Sequence, residues 1–144
     1  MKLTAKTKYG LNVLTYISKA FKGAPITGKT LSVCQKISEP YVEQVMLPLI
    51  SFGLIKTVRG AKGGYVLNKE AKDITLLDVI EAYEGRIDFS GSEDTGSSLH
   101  SSACWSQKLW RAFEGKIRDT ASELSLDEII EKYMNNHKEG EYTI

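Results

Sequence analysis

The chain has 144 residues, of which 42% are hydrophobic and 26% charged, with a formal net charge of +1. That length and composition suit one compact module, and no apolar run approaches the ~20 residues that a membrane-spanning helix needs. Two cysteines, Cys34 and Cys104, exclude a disulfide framework and a four-cysteine zinc site. The first six residues are basic but are not followed by the apolar stretch of a signal peptide, so the expected location is the cytoplasm.

The small net charge hides a strong asymmetry. Residues 1–72 hold twelve Lys or Arg against three acids, while residues 73–144 hold seven against fifteen. A basic half joined to an acidic half points to a polyanion on one side of the molecule.

In chain order, Val13, Leu14, Ile17, Ala20 and Phe21 recur at helical spacing and predict an amphipathic helix from about Thr4 to Phe21. The run Gly23-Ala24-Pro25 ends it. Thr27 is placed to cap a short second helix through Leu31, Val33 and Cys34, and Ser38 to cap a third from Glu39 to about Phe52. Pro40 is tolerated in that helix's first turn, and Gly53 marks its end. Two β-rich runs, Leu54 to Val58 and Tyr65 to Leu67, flank the basic glycine-rich turn Arg59-Gly60-Ala61-Lys62-Gly63-Gly64, the pattern of a hairpin. Thr75 and Asp78 form a candidate capping box for a fourth helix, Leu76 to Glu84. Residues 85–103 are rich in serine and glycine and read as a loop. A fifth helix, Trp105 to Leu124, carries Trp110, Phe113, Ile117, Ala121 and Leu124 as one apolar stripe. Ser125 and Glu128 open a last short helix.

Three helices followed by a hairpin is the order of a winged helix-turn-helix, whose third helix enters the DNA major groove while the hairpin reaches the neighbouring backbone or minor groove. The expected fold is therefore α+β and mainly helical. On the third helix Val42, Val45, Met46 and Leu49 face inward, leaving Pro40, Tyr41, Glu43 and Gln44 outward. Gln44 suits a bidentate contact to adenine and Glu43 the amino group of cytosine, although both are also ordinary solvated helix residues. In the wing, Arg59 suits a narrow A·T-rich minor groove, and Lys62 adds charge toward the phosphates. A nucleotide-binding glycine loop would be followed by a helix; here a strand follows.

The motifs Ser38-Glu39-Pro40-Tyr41-Val42-Glu43-Gln44, Leu47-Pro48-Leu49 and Val58 to Tyr65 resemble the Rrf family of bacterial winged-helix transcription regulators. So do Lys2-Leu3-Thr4, Lys8-Tyr9-Gly10 and the segment Asp73 to Gly85. The resemblance covers about residues 1–132. It implies a homodimer on a palindromic operator, joined through the fifth helix, with no enzymatic activity. Glu43, Gln44 and Arg59 then fall on base-reading positions, and Thr4, Lys6, Tyr9 and Tyr41 on backbone contacts. Pro40 departs from the pattern, standing where related members carry a base-contacting serine. The organisation implied is a DNA-binding domain over 1–84, a flexible sensor loop over 85–103, a dimerisation helix with a short terminal helix over 104–134, and a tail over 135–144.

Iron–sulfur members of the family carry three cysteines before the dimerisation helix. At the matching six-residue steps this chain has Ser92, Ser98 and Cys104, with Gln107 in place of a following histidine and Lys8 where some members take a ligand from the first helix. A cluster wants about four soft or imidazole ligands, and a dimer would offer two Cys104 thiolates with His100 as a helper, so no cofactor is expected. Cys104 reads equally as a redox-sensitive thiol at a helix start or as a small residue tucked against Trp105. Cys34 is expected in the helix-turn-helix core, and His137 in a solvated tail. The expected function is a dimeric repressor controlled by a redox, sulfur-metabolite or partner-protein signal. Two alternatives remain open: an iron–sulfur sensor with unusual ligands, and an interaction module binding a cysteine synthase-like enzyme through the tail residues Tyr142 and Ile144, by capture of a terminal carboxylate.

Overall fold

The computed structural model describes residues 2–20, 24–89 and 104–136. The first helix, α1 (Ala5–Ala20), buries Val13, Leu14 and Ile17 completely. Helix α2 (Gly28–Gln35) starts at Thr27, whose hydroxyl accepts from the Thr30 amide at 3.1 Å. Helix α3 (Glu39–Ser51) starts at Ser38, which accepts from the Tyr41 amide at 3.2 Å. Each cap satisfies an amide that the first helical turn leaves without a partner. Val42, Val45, Met46 and Leu49 of α3 are all fully buried, as their spacing predicts. Pro48 lies inside α3; it has no amide to offer the carbonyl one turn back.

Strands β1 (Ile55–Val58) and β2 (Gly64–Leu67) pair antiparallel, with Ile55 opposite Leu67 and Val58 opposite Gly64. A third segment joins this hairpin: Ile26 exchanges two backbone hydrogen bonds with Tyr65, at 2.8 and 3.0 Å. Ile26, two residues before α2, thus anchors the base of the wing. The close approach explains the glycine pair. A Cβ on Gly63 would lie 2.2 Å from the Val58 carbonyl oxygen, and one on Gly64 (φ +154°) 2.5 Å from that of Ile26.

Helix α4 (Leu76–Glu84) begins with the full reciprocal capping box, Asp78 amide to Thr75 hydroxyl at 3.2 Å and Thr75 amide to Asp78 carboxylate at 2.9 Å. Helix α5 (Cys104–Glu123) lies against α4. Its C-terminal turn returns to the first domain, where Leu76 donates to the Leu124 carbonyl at 2.8 Å and Leu126 to that of Ile74 at 2.7 Å. Helix α6 (Leu126–Ile129) follows, capped by Ser125, and runs into a π-helical segment, Ile130–Met134. Leu126 is buried in the same core as Val13, Leu49 and Ile74, so the C-terminal helices do not fold around a core of their own. Burial of a side chain of that size contributes about 1.5–3 kcal/mol, which ties the C-terminal helices to the core of the first three helices. Among the described residues, no helix is long and apolar enough to cross a membrane.

Two expectations need correction. Cys34 is exposed rather than packed in the core: α2 is two turns long, its one fully buried position is Leu31, and Cys34 lies beyond the edge of the core. The thiol instead neighbours the Tyr16 phenol, and that proximity raises the phenol's ionisation above the ordinary value. The α5 stripe is also divided. Ala121 is buried within its own chain, beside a cleft with Leu76, Ile80 and Ile117 between α4 and α5, so it faces α4 and not a second subunit.

Candidate nucleic-acid interface

The outward face of α3 carries Pro40, Glu43, Gln44 and Leu47, all exposed. Tyr41 is half-buried, its ring edge-on to Tyr9 at 5.7 Å, and both tyrosines lean on the core. Arg59 and Lys62 are exposed on the wing, where Gly60 at φ +113° turns the chain and accepts from the Gly63 amide at 2.9 Å. Helix and wing are electrostatically connected: burial, with the nearby Glu43 carboxylate adding to it, raises the ionisation of Tyr65 on β2. Glu43 of α3 therefore lies near Tyr65, the second residue of β2.

The N-terminal arm is held by a residue that sequence reading passed over. Glu84, at the C-terminus of α4, accepts from the Thr4 amide and the Thr4 hydroxyl, both at 2.8 Å, and from the Thr7 hydroxyl. The hydrogen bond from Thr7, followed by those from Thr4, holds its carboxyl below the usual value. An acid at the C-terminal end of a helix opposes the helix dipole, and that unfavourable placement was the available signal that Glu84 serves another element. It sits at the N-terminus of α1, where a negative charge is favourable. Thr4 is thereby fixed, with Lys6 exposed in the first turn of α1.

On α5, Trp105 is 68% exposed, and Trp110 and Phe113 are each 46% exposed. Trp110 packs edge-on to Phe113 at 6.4 Å, and Phe89 contacts Phe113 at 5.5 Å. Ile117 and Leu124 are half-buried. Leu109, which the stripe read from the sequence omits, is also exposed. The Cys104 side chain, Ser92, Ser98, His100, and the tail with His137, Tyr142 and Ile144 lie outside the described residues.

A three-helix core with a hairpin wing, a polar face on the third helix and a basic wing tip defines a winged helix-turn-helix DNA-binding protein. Comparison with known proteins narrows the class. Residues 3–132 match the family model Rrf2, described as an iron-dependent transcriptional regulator, and the chain belongs to that family. The HTH-type transcriptional regulator IscR of Pectobacterium atrosepticum is 31% identical over 130 residues, covering 90% of this chain and 79% of that one. CymR of Bacillus subtilis is 40% identical over 87 residues, covering 60% of this chain and 63% of CymR, so the match spans less than two thirds of that relative. The solved structure of B. subtilis CymR, titled as its global cysteine regulator, superposes with a TM-score of 0.72 at 30% identity, covering 90% of this chain and 95% of that one. The protein is a DNA-binding transcription regulator and not an enzyme.

Proposed function

We propose that the protein represses transcription as a homodimer on a palindromic operator, with one α3 in each of two major-groove half-sites and each wing at the adjoining minor groove. The exposed aromatic pair Trp110 and Phe113 on α5, packed edge-on to each other, carries this reading. An apolar stripe of this kind on a helix is ordinarily covered by another apolar surface, and a two-fold dimer of helix-turn-helix domains matches a palindromic operator whose half-sites lie about one DNA turn, roughly 34 Å, apart. Glu43 and Gln44 read bases, Arg59 enters the minor groove, and Thr4, Lys6, Tyr9, Tyr41 and Lys62 position the backbone.

The donor set of the chain does not fit an iron–sulfur cluster. It has two thiols in all; Cys34 is on α2, engaged with Tyr16, and serines replace two of the three loop cysteines expected from cluster-binding relatives. The signal is accordingly cluster-free: a redox change, a sulfur metabolite or a partner protein.

The test is a fluorescence-anisotropy titration against fragments from upstream of the protein's own gene, with wild type, Glu43→Ala, Arg59→Ala and Phe113→Glu, alongside sedimentation of each. The expected result is tight binding that falls steeply with salt, relaxed sequence preference in Glu43→Ala, and a weakened preference for A·T-rich flanks in Arg59→Ala. Phe113→Glu should sediment as a monomer. A wild-type monomer, or equal losses on every sequence for Glu43→Ala and Arg59→Ala, would overturn the reading.

A further inference from the structure

We propose that Leu47 reads a thymine methyl group and is the third sequence-determining residue of the recognition helix. The inference rests on the reading above that the outward face of α3 enters the major groove. At 100° per residue, Leu47 lies about 40° around the helix from Glu43 and about 60° from Gln44, between the two polar readers. It points away from the buried set Val42, Val45, Met46 and Leu49 and is 61% exposed. A large apolar side chain thus occupies the middle of a face that is otherwise Pro40, Glu43 and Gln44.

In the major groove the one apolar feature of a base pair is the C5-methyl of thymine, and aliphatic side chains contact it. Leu47 is about 6 Å along the helix axis from Glu43 and about 4.5 Å from Gln44. Those separations are comparable to the ~3.4 Å spacing of successive bases along a strand, so the three side chains can meet neighbouring base pairs. Pro40 has no side-chain donor to add to this face, and Leu47 supplies discrimination of a different kind, by shape and methyl burial. The surroundings favour DNA over a protein partner. The wing that follows α3 exposes Arg59 and Lys62, and the half of the chain that holds both elements carries twelve basic residues against three acids.

The experiment separates the methyl group from every other feature of the base. Full-length wild type, Leu47→Ala, Glu43→Ala and Gln44→Ala each enrich binders from a duplex library with a randomised centre. The duplex enriched by wild type is then remade with each thymine replaced in turn by deoxyuridine, which lacks only the methyl. Leu47 is solvent-exposed and alanine is the better helix former, so the variant folds. At one thymine per half-site, wild type should lose about fourfold in affinity on losing the methyl. Leu47→Ala should bind the thymine and uracil duplexes equally there, and its enriched sequences should be relaxed at that base pair. If every deoxyuridine duplex weakens both proteins in the same ratio while Glu43→Ala and Gln44→Ala change the enriched sequence, the Leu47 assignment alone fails. If those two variants also enrich the wild-type sequence, or wild type enriches nothing, the placement of α3 fails and takes this inference with it.

Discussion

The phenol of Tyr83 donates a hydrogen bond to the backbone carbonyl of Val45 at 2.5 Å. The contact joins α4 to the middle of the recognition helix, and Tyr83 packs in the core cluster. Its burial pushes the phenol well above its ordinary ionisation range, so the hydroxyl stays protonated and donating at neutral pH. The next residue, Glu84, holds the N-terminal arm. The end of α4 therefore positions two of the surfaces proposed to meet DNA, while the Glu81–Arg118 ion pair fastens the same helix to α5.

Tyr83→Phe should lower stability by about 1 kcal/mol, the net worth of one such hydrogen bond. Urea unfolding should show an earlier midpoint with an unchanged slope. An unchanged midpoint would show that the bond contributes nothing.

Gly10→Ala should destabilise more. A Cβ at Gly10 would lie 2.3 Å from the Tyr83 ring, and overpacking of that kind costs about 1–3 kcal/mol. Combined with Tyr83→Ala, the loss should be less than the sum of the two single losses, because the ring that clashes is gone. Strict additivity would place the clash elsewhere.

Gly64→Ala should detach the wing from Ile26. The obstruction is backbone, the peptide group joining Ile26 to Thr27, so no side chain can move aside. Amide exchange at Ile26 and Tyr65 should accelerate, while Val79 in α4 stays protected. Uniform acceleration across the chain would instead signal global destabilisation.

Glu84→Gln should weaken the protein in a pH-dependent way. The folded-state carboxyl titrates below its unfolded value of 4.5, so its contribution is fully present above that value and disappears as pH falls through the lower folded value. The stability gap between wild type and Glu84→Gln should be widest at neutral pH and close on acidification. A gap that stays constant with pH would mean the carboxylate charge is not what Thr4 and Thr7 recognise.

Much of this architecture is legible along the chain because it depends on residues within a few positions of one another. The caps at Thr27, Ser38 and Thr75, the inward quartet of α3 and the hairpin with its glycine pair all follow from local hydrogen bonding and periodicity. The outward positions of Glu43 and Gln44 follow from the same 3.6-residue period.

What the tertiary structure alone decided lies between distant positions. Residue type alone favours the core for Cys34, which is exposed; where the core ends is set by how far α2 extends over α1 and α3. Ala121 belongs to the stripe by spacing, yet the packing of α5 on α4 determines which part of that stripe the chain covers itself. Ile26 is a single residue between a proline and a cap, without any strand pattern, and pairs because Gly64 lets its backbone approach. Glu84 meets Thr4 across 80 positions. Periodicity records which way a side chain points from its own element; it carries no information about what another element brings to meet it, and that is settled only when the helices pack.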